Sequence, residues 1–162
     1  MKLYERDIWM RPITKEDTPY ILRWRNKDSV KSHFIYQEEL TQEVHIEWLQ
    51  EKVLTGKVAQ FIIIHKENDR PIGSVYLRDI DKVEGQAELG IFIGEDFYRG
   101  KGIGSQSIRL ITKYGFEILY LKKIYLRVRK TNIKAIKCYE ACDFTKSEKV
   151  DHEVVFMEKY RE

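Results

Sequence analysis

Cysteine is scarce in this chain: there are two in 162 residues, Cys138 and Cys142. Placed one helical turn apart, their side chains would run along one face, so a disulfide between them is not expected. The four histidines, His33, His45, His65 and His152, are scattered, and neither a CxxC nor an HExxH spacing occurs. No metal is assigned. Long apolar runs are missing as well: the longest, Phe61 to Ile64 with Val58 and Ala59 just before it, falls far short of the roughly 20 residues of a membrane span. The opening Met1-Lys2-Leu3-Tyr4-Glu5-Arg6-Asp7 carries charges where a secretory signal needs an apolar run. A cytoplasmic location without membrane contact is therefore expected. Neither sign of charge dominates, since 29 basic and 26 acidic residues leave +3. That lacks the one-sign excess of a dedicated nucleic-acid binder or a polybasic membrane-surface protein.

What the chain does have is enough material for one core, with 43% hydrophobic, 12% aromatic and 34% charged residues. Its length suits a single domain over 1–162, and the composition suits a soluble globular one. Tyr4 to Arg11 alternates loosely and reads as a first strand. Thr14-Lys15-Glu16-Asp17 then resembles a capped helix start, with Tyr20, Ile21 and Trp24 at helical spacing up to about Arg25. Thr41 caps a further helix whose stripe is Val44, Trp48, Leu49 and Val53, closed by Gly56. From Ala59 the pattern turns to strands: Phe61 to Ile64, Ile72 to Leu77 and Ala87 to Ile93, separated by turns at 68–71 and 82–85. A helix to about Leu119, a strand over Ile124 to Val128 and a helix from Asn132 to Ala141 follow. Phe144 to Val150 and Val154 to Tyr160 can close as a last hairpin.

Between the third of these strands and the long helix lies Arg99-Gly100-Lys101-Gly102-Ile103-Gly104. Glycines there permit unusual backbone angles and let N–H groups converge at a helix start, which makes an anion cradle. A Walker A loop is excluded because Lys101 is followed by Gly102, and a Rossmann fingerprint read from Gly102 ends in Ser107. Residues 122 to 137 add Lys122, Lys123, Arg127, Arg129, Lys130, Lys134 and Lys137 with no acidic residue. A polyphosphate ligand would use some of them; a solvated basic face is the plainer reading.

These residues resemble the GNAT family of N-acetyltransferases. The family signature [RQ]-x-x-G-x-[GA] after a strand is matched by Arg99 to Gly104 following Glu88 to Ile93. A second pattern, N-x-x-[AS]-x-x-x-Y-x-x-x-[GD]-F, is met by Asn132, Ala135, Tyr139 and Asp143-Phe144. Asp143 stands where the family usually has glycine, at a helix end that favours the left-handed conformation Asp tolerates. Residues Trp9 to Thr14 through Trp24-Arg25-Asn26 look like the opening of the branch that holds ribosomal-protein N-terminal and amino-sugar acetyltransferases, so the resemblance spans nearly the whole chain.

The resemblance implies an α/β (α+β) domain with a central mixed, mostly antiparallel, splayed β-sheet flanked by helices, and acetyl-CoA as acetyl donor without a metal. It implies that backbone groups at Ile91, Phe92 and Ile93 take the pantetheine arm. The turn formed by Arg99, Gly100, Lys101, Gly102, Ile103, Gly104 and Ser105 would hold the pyrophosphate, with Asn132 and Ala135 beside the arm. Tyr139 would be the general acid for the leaving thiolate, and Glu88 would order the water that takes the amine proton. Arg25 and His45, followed by Trp48, suggest contacts to a nucleotide-linked amino sugar, the leading acceptor. On spacing alone Tyr139 also reads as a core aromatic, Glu88 as a solvated strand-end charge, Arg25 as a helix-end cation and His45 as a solvated residue. A protein N-terminus, a polyamine or an aminoglycoside are the alternative acceptors. A polycation would call on carboxylates such as Glu38, Glu39, Glu43, Glu47 and Glu51. A catalytically silent acyl-CoA-binding module is the alternative of a different class, and a homodimer is compatible with either reading.

Overall fold

In the computed structural model, which describes residues 1–162, the expected first strand is two. Strand β1 (Leu3–Tyr4) pairs antiparallel with β2 (Ile8–Pro12) across a turn in which the Glu5 N–H donates to the Ile8 carbonyl at 2.9 Å, Arg6 is exposed and Asp7 exchanges hydrogen bonds with the buried Gln106 at 2.9 and 2.8 Å. A single 3-10 turn at Lys15–Asp17 then leads into α1 (Thr18–Arg25). Asp17 ties the two together. Its carboxylate accepts the Thr14 N–H at 2.8 Å and both terminal nitrogens of Arg11 at 2.8 and 2.7 Å, so the buried charge is compensated.

After the short α2 (Asp28–Lys31) comes α3 (Gln42–Trp48), capped by Thr41, whose hydroxyl accepts the Val44 N–H at 3.3 Å. Of the stripe expected on α3, Trp48, Leu49 and Val53 pack inward and Val44 does not. Val44 is 53% exposed, while His45 at 2% and Leu49 at 6% form the edge laid against the sheet. The helix then widens into a π turn over Leu49–Val53, which ends the regular spacing.

Strands β3 (Ala59–His65), β4 (Arg70–Asp81) and β5 (Gln86–Ile93) form the expected antiparallel meander. Helix α4 (Ile103–Glu117), β6 (Lys123–Arg129), α5 (Ile133–Ala141), β7 (Thr145–Lys146) and β8 (Val154–Tyr160) complete one eight-stranded mixed sheet in the order β1-β2-β3-β4-β5-β6-β8-β7. The last hairpin is shorter than expected. Only Thr145 and Lys146 pair with β8, because Lys149 and Glu153 give their N–H groups to the side chains of Ser147 and Asp151, at 3.2 and 2.9 Å.

The two-residue period of β3 divides the core. Phe61 and Ile63 face α4 and α5 with Leu77, Ile108, Ile111 and Ile124, whereas Ile62 and Ile64 face α1 to α3 with Ile21, Trp24, Tyr76 and Phe92. Each such burial stabilises the fold by about 1.5–3 kcal/mol before conformational entropy is set against it. Helices on both faces leave one functional opening in the sheet, at its middle. No helix is long and apolar enough to cross a membrane.

Candidate active site

Strands β5 and β6 run parallel for only three pairs, Gln86 with Lys123, Ala87 with Ile124 and Glu88 with Tyr125. Beyond Glu88 each strand keeps its other neighbour, β4 or β8, and loses this one. The strands splay, leaving on that edge unpaired backbone groups of Leu89 and Ile91, which alternate away from β4, and the N–H of Ile93, available to a ligand. The gap opens into a cleft of about 810 Å³ that runs from the glycine turn across β5 to α1 and α3. Ile91, Phe92 and Ile93 line it; the Phe92 side chain packs into the core beneath α1 to α3 and its backbone faces Ser74 of β4, so the backbone groups on the open edge are those of Ile91 and Ile93.

The glycine turn has the conformation its residues require. Gly100 and Gly102 have φ of +72° and +79°, in the left-handed region, and nothing else crowds Gly100. Gly102 is the N-cap of α4, so the first N–H groups of a 15-residue helix face the cleft mouth with their partial positive charge. Arg99 does not offer its charge to that mouth. Its guanidinium donates to the Ile93 carbonyl at 2.7 Å and to Asp96 at 2.6 Å, fixing the turn to the end of β5. Lys101 is exposed, with its ammonium 3.4 Å from the Phe97 ring centroid, and does not line the cleft.

Helix α5 supplies the opposite wall. Asn132 caps it, its side-chain oxygen accepting the Ala135 N–H at 3.3 Å, and Ala135, Cys138 and Tyr139 follow along the cleft face. Asp143 ends the helix at φ +70°, the left-handed conformation expected there. Tyr139 is buried with its ring edge-on to Phe144 at 5.9 Å, and burial holds the phenol above its usual range. Both cysteines are free. Cys138 lies 3.3 Å from the Ser105 hydroxyl and Cys142 gives its thiol to the Ser105 carbonyl at 3.7 Å; the closeness of the two sulfurs holds the Cys138 thiol below the usual range and raises that of Cys142.

Glu88 is no solvated strand-end charge. It is 6% exposed, lines the cleft at the point of splay and accepts Nε and Nη2 of Arg127 at 2.7 and 3.3 Å. The far end of the cleft gathers Arg25 and His45, as expected, together with Phe34, Trp48, Tyr76 and Arg78. Arg25 lies 3.9 Å over the Phe34 ring, and burial lowers its pKa; burial, then Arg25, likewise lowers that of His45. Tyr76 and Arg78 escaped the sequence reading. Both occupy the phase of β4 that faces α1 to α3, and Gly90 opposite makes room for the Tyr76 ring, since a Cβ there would stand 2.3 Å from its Cζ. The acidic residues Glu38, Glu39, Glu43, Glu47 and Glu51 are exposed, and none lines the cleft. Of the basic run, only Arg127 and Lys134 do.

Comparison with known proteins agrees with this geometry. Residues 7–145 match the family described as "Acetyltransferase (GNAT) domain". The chain is 30% identical to the spermidine N(1)-acetyltransferase of Escherichia coli strain K12 over 154 residues, 95% of this chain and 81% of that one. An uncharacterized protein of Methanocaldococcus jannaschii is 33% identical over 144 residues, 88% of this chain, which spans only 29% of that longer relative. Among solved structures, Vibrio cholerae spermidine N-acetyltransferase in complex with CoA and spermine superposes with a TM-score of 0.86 at 24% identity, covering 95% of each chain. Several relatives are named for spermidine and none here for a ribosomal protein, so the expected placement beside ribosomal-protein and amino-sugar enzymes gives way to the family as a whole. The chain belongs to the GNAT family of acetyltransferases and is an N-acetyltransferase that uses acetyl-CoA.

Proposed function

We propose that this chain moves the acetyl group of acetyl-CoA directly onto a primary amine of a small acceptor held at the Arg25 end of the cleft. The observation that carries this is the meeting of Glu88, Tyr139 and the unpaired edge of β5 in one cleft at the splay. Acetyl-CoA supplies a thioester whose carbonyl carbon accepts the amine and whose sulfur leaves as a thiolate. The β5 edge and the head of α4 orient the donor, and a free N–H of β5 polarises the carbonyl. Tyr139, protonated throughout the neutral range, donates to the departing sulfur. Each Glu88 oxygen keeps a lone pair beyond its bond to Arg127, enough to orient a water that carries off the amine proton. Arg99 acts as a positioning residue for the turn, and Asn132 presents its amide nitrogen beside the pantetheine path.

The relatives' names support a polyamine acceptor ahead of the nucleotide-linked amino sugar. One feature of the cleft favours the second: Glu88 is its single carboxylate and is already paired. Purified protein incubated with acetyl-CoA and an equimolar mixture of spermidine, a nucleotide-linked 4-amino sugar and a short free-amine peptide, followed by mass spectrometry, tests both. An acetylated product identifies the acceptor class, and CoA release without any acetylated amine contradicts the proposal.

A further inference from the structure

Three buried side-chain nitrogens in the whole chain lack a hydrogen-bond partner: Arg25 Nε, His45 Nε2 and Arg78 Nε. All three residues line the far end of the same cleft. Nowhere else does the fold leave a buried side-chain donor unmatched, and elsewhere its half-buried cations are answered, as Arg11 is by Asp17 and Arg127 by Glu88. Arg25 has neither an ion pair nor a side-chain hydrogen bond; its guanidinium carbon lies 3.9 Å over the Phe34 ring centroid, and its Nε has no acceptor. Arg78 rests over Trp48 at 5.6 Å; its Nε makes an ion pair with the exposed Asp79 carboxylate at 3.5 Å but no hydrogen bond, a contact that solvent weakens. His45 is 2% exposed, and its Nε2 is a donor in one neutral tautomer.

Unmatched buried donors converging on one space call for an acceptor with several lone pairs, and the guanidinium fork fits an oxyanion. A polycation would bring its further ammonium groups against Arg25 and Arg78, with no free carboxylate in the cleft to receive them. We infer that Arg25, Arg78 and His45 form an anion-reading subsite, and that the acceptor amine belongs to a molecule bearing a phosphate or carboxylate. This rests on the N-acetyltransferase reading, since it assigns the acceptor half of the same cleft. It places the protein after a reaction that installs a primary amine on an anionic molecule.

Isothermal titration of the full chain separates the two layers. CoA is titrated first, and failure of CoA to bind overturns the donor-site reading and this inference with it. Protein saturated with CoA is then titrated with inorganic pyrophosphate, succinate and spermidine at low ionic strength. Binding of one anion at one site per chain is expected, weakened about tenfold or more in Arg25→Gln and in Arg78→Gln while CoA affinity is kept. Tighter pyrophosphate assigns a phosphate, and tighter succinate a carboxylate. If Arg25→Gln loses CoA binding through misfolding, Arg25→Lys serves instead: it keeps the charge, loses the fork and still weakens the anion. Absence of anion binding, equal binding by wild type and variants, or spermidine bound more tightly than either anion overturns the inference.

Discussion

Both carboxylate oxygens of Glu88 are held by Arg127, at 2.7 and 3.3 Å, where β5 parts from β6. The pair fixes the carboxylate at the apex of the cleft. Glu88→Gln keeps the shape and removes the charge, so kcat is expected to fall by about 10²-fold or more, as for a lost general base. The loss should shrink as pH rises and the acceptor amine deprotonates unaided. A pH–rate profile checks this; a variant with the wild-type rate and profile would leave Glu88 a purely structural partner of Arg127.

Gly102 and Gly104 are two residues apart but are not equivalent. Gly102 has φ +79° at the head of α4, where a side chain costs about 1–2 kcal/mol. Gly104 is in regular helix, and a Cβ there meets Cys138 Sγ at an ordinary 3.6 Å. Gly102→Ala should therefore raise the KM for acetyl-CoA roughly five- to thirtyfold, and Gly104→Ala should leave it within about twofold. Initial rates at varied acetyl-CoA check the contrast, and equal effects would remove the conformational argument.

Burial, reinforced by Arg25, holds the His45 pKa below its ordinary 6.5 in the folded chain. The unfolded chain then binds a proton that the folded one does not, so this contribution to stability is full above about pH 6.5 and is lost progressively as pH falls from there through the lower folded pKa. The slope is at most about 1.4 kcal/mol per pH unit. Thermal unfolding in buffer free of phosphate should show Tm dropping from pH 7.5 to 5.5, with a shallower drop in His45→Gln. Identical slopes in the two proteins would mean that His45 titrates alike in both states.

The donor half of the site was legible in the sequence because its chemistry is local. Glycines at 100 and 102 and Asp at 143 announce left-handed backbone, and Asn132 and Tyr139, one cap and two turns apart, fall on one face of a single helix. The acceptor half is assembled across elements, and one-dimensional spacing misleads there. On α3 the choice between Val44 and His45 as the inward residue depends on how a seven-residue helix rolls on the sheet, and hydrophobicity chose the wrong one. In β4 both faces are covered, so alternation separated Leu77 from Tyr76 and Arg78 without showing that the second face borders a cleft. Arg99 matched a signature by type, yet its donors are spent on Ile93 and Asp96. The first strand was read as continuous because its alternation survives the turn at Glu5 to Asp7.

The central claim is that Tyr139 protonates the departing thiolate in this cleft, and Tyr139→Phe tests it most directly. The ring and its packing on Phe144 are kept and only the hydroxyl is lost. With the acetylated acceptor identified, the account predicts acetyl-CoA binding within about twofold of wild type and kcat reduced by about 10²- to 10⁴-fold. Full turnover in Tyr139→Phe would contradict it.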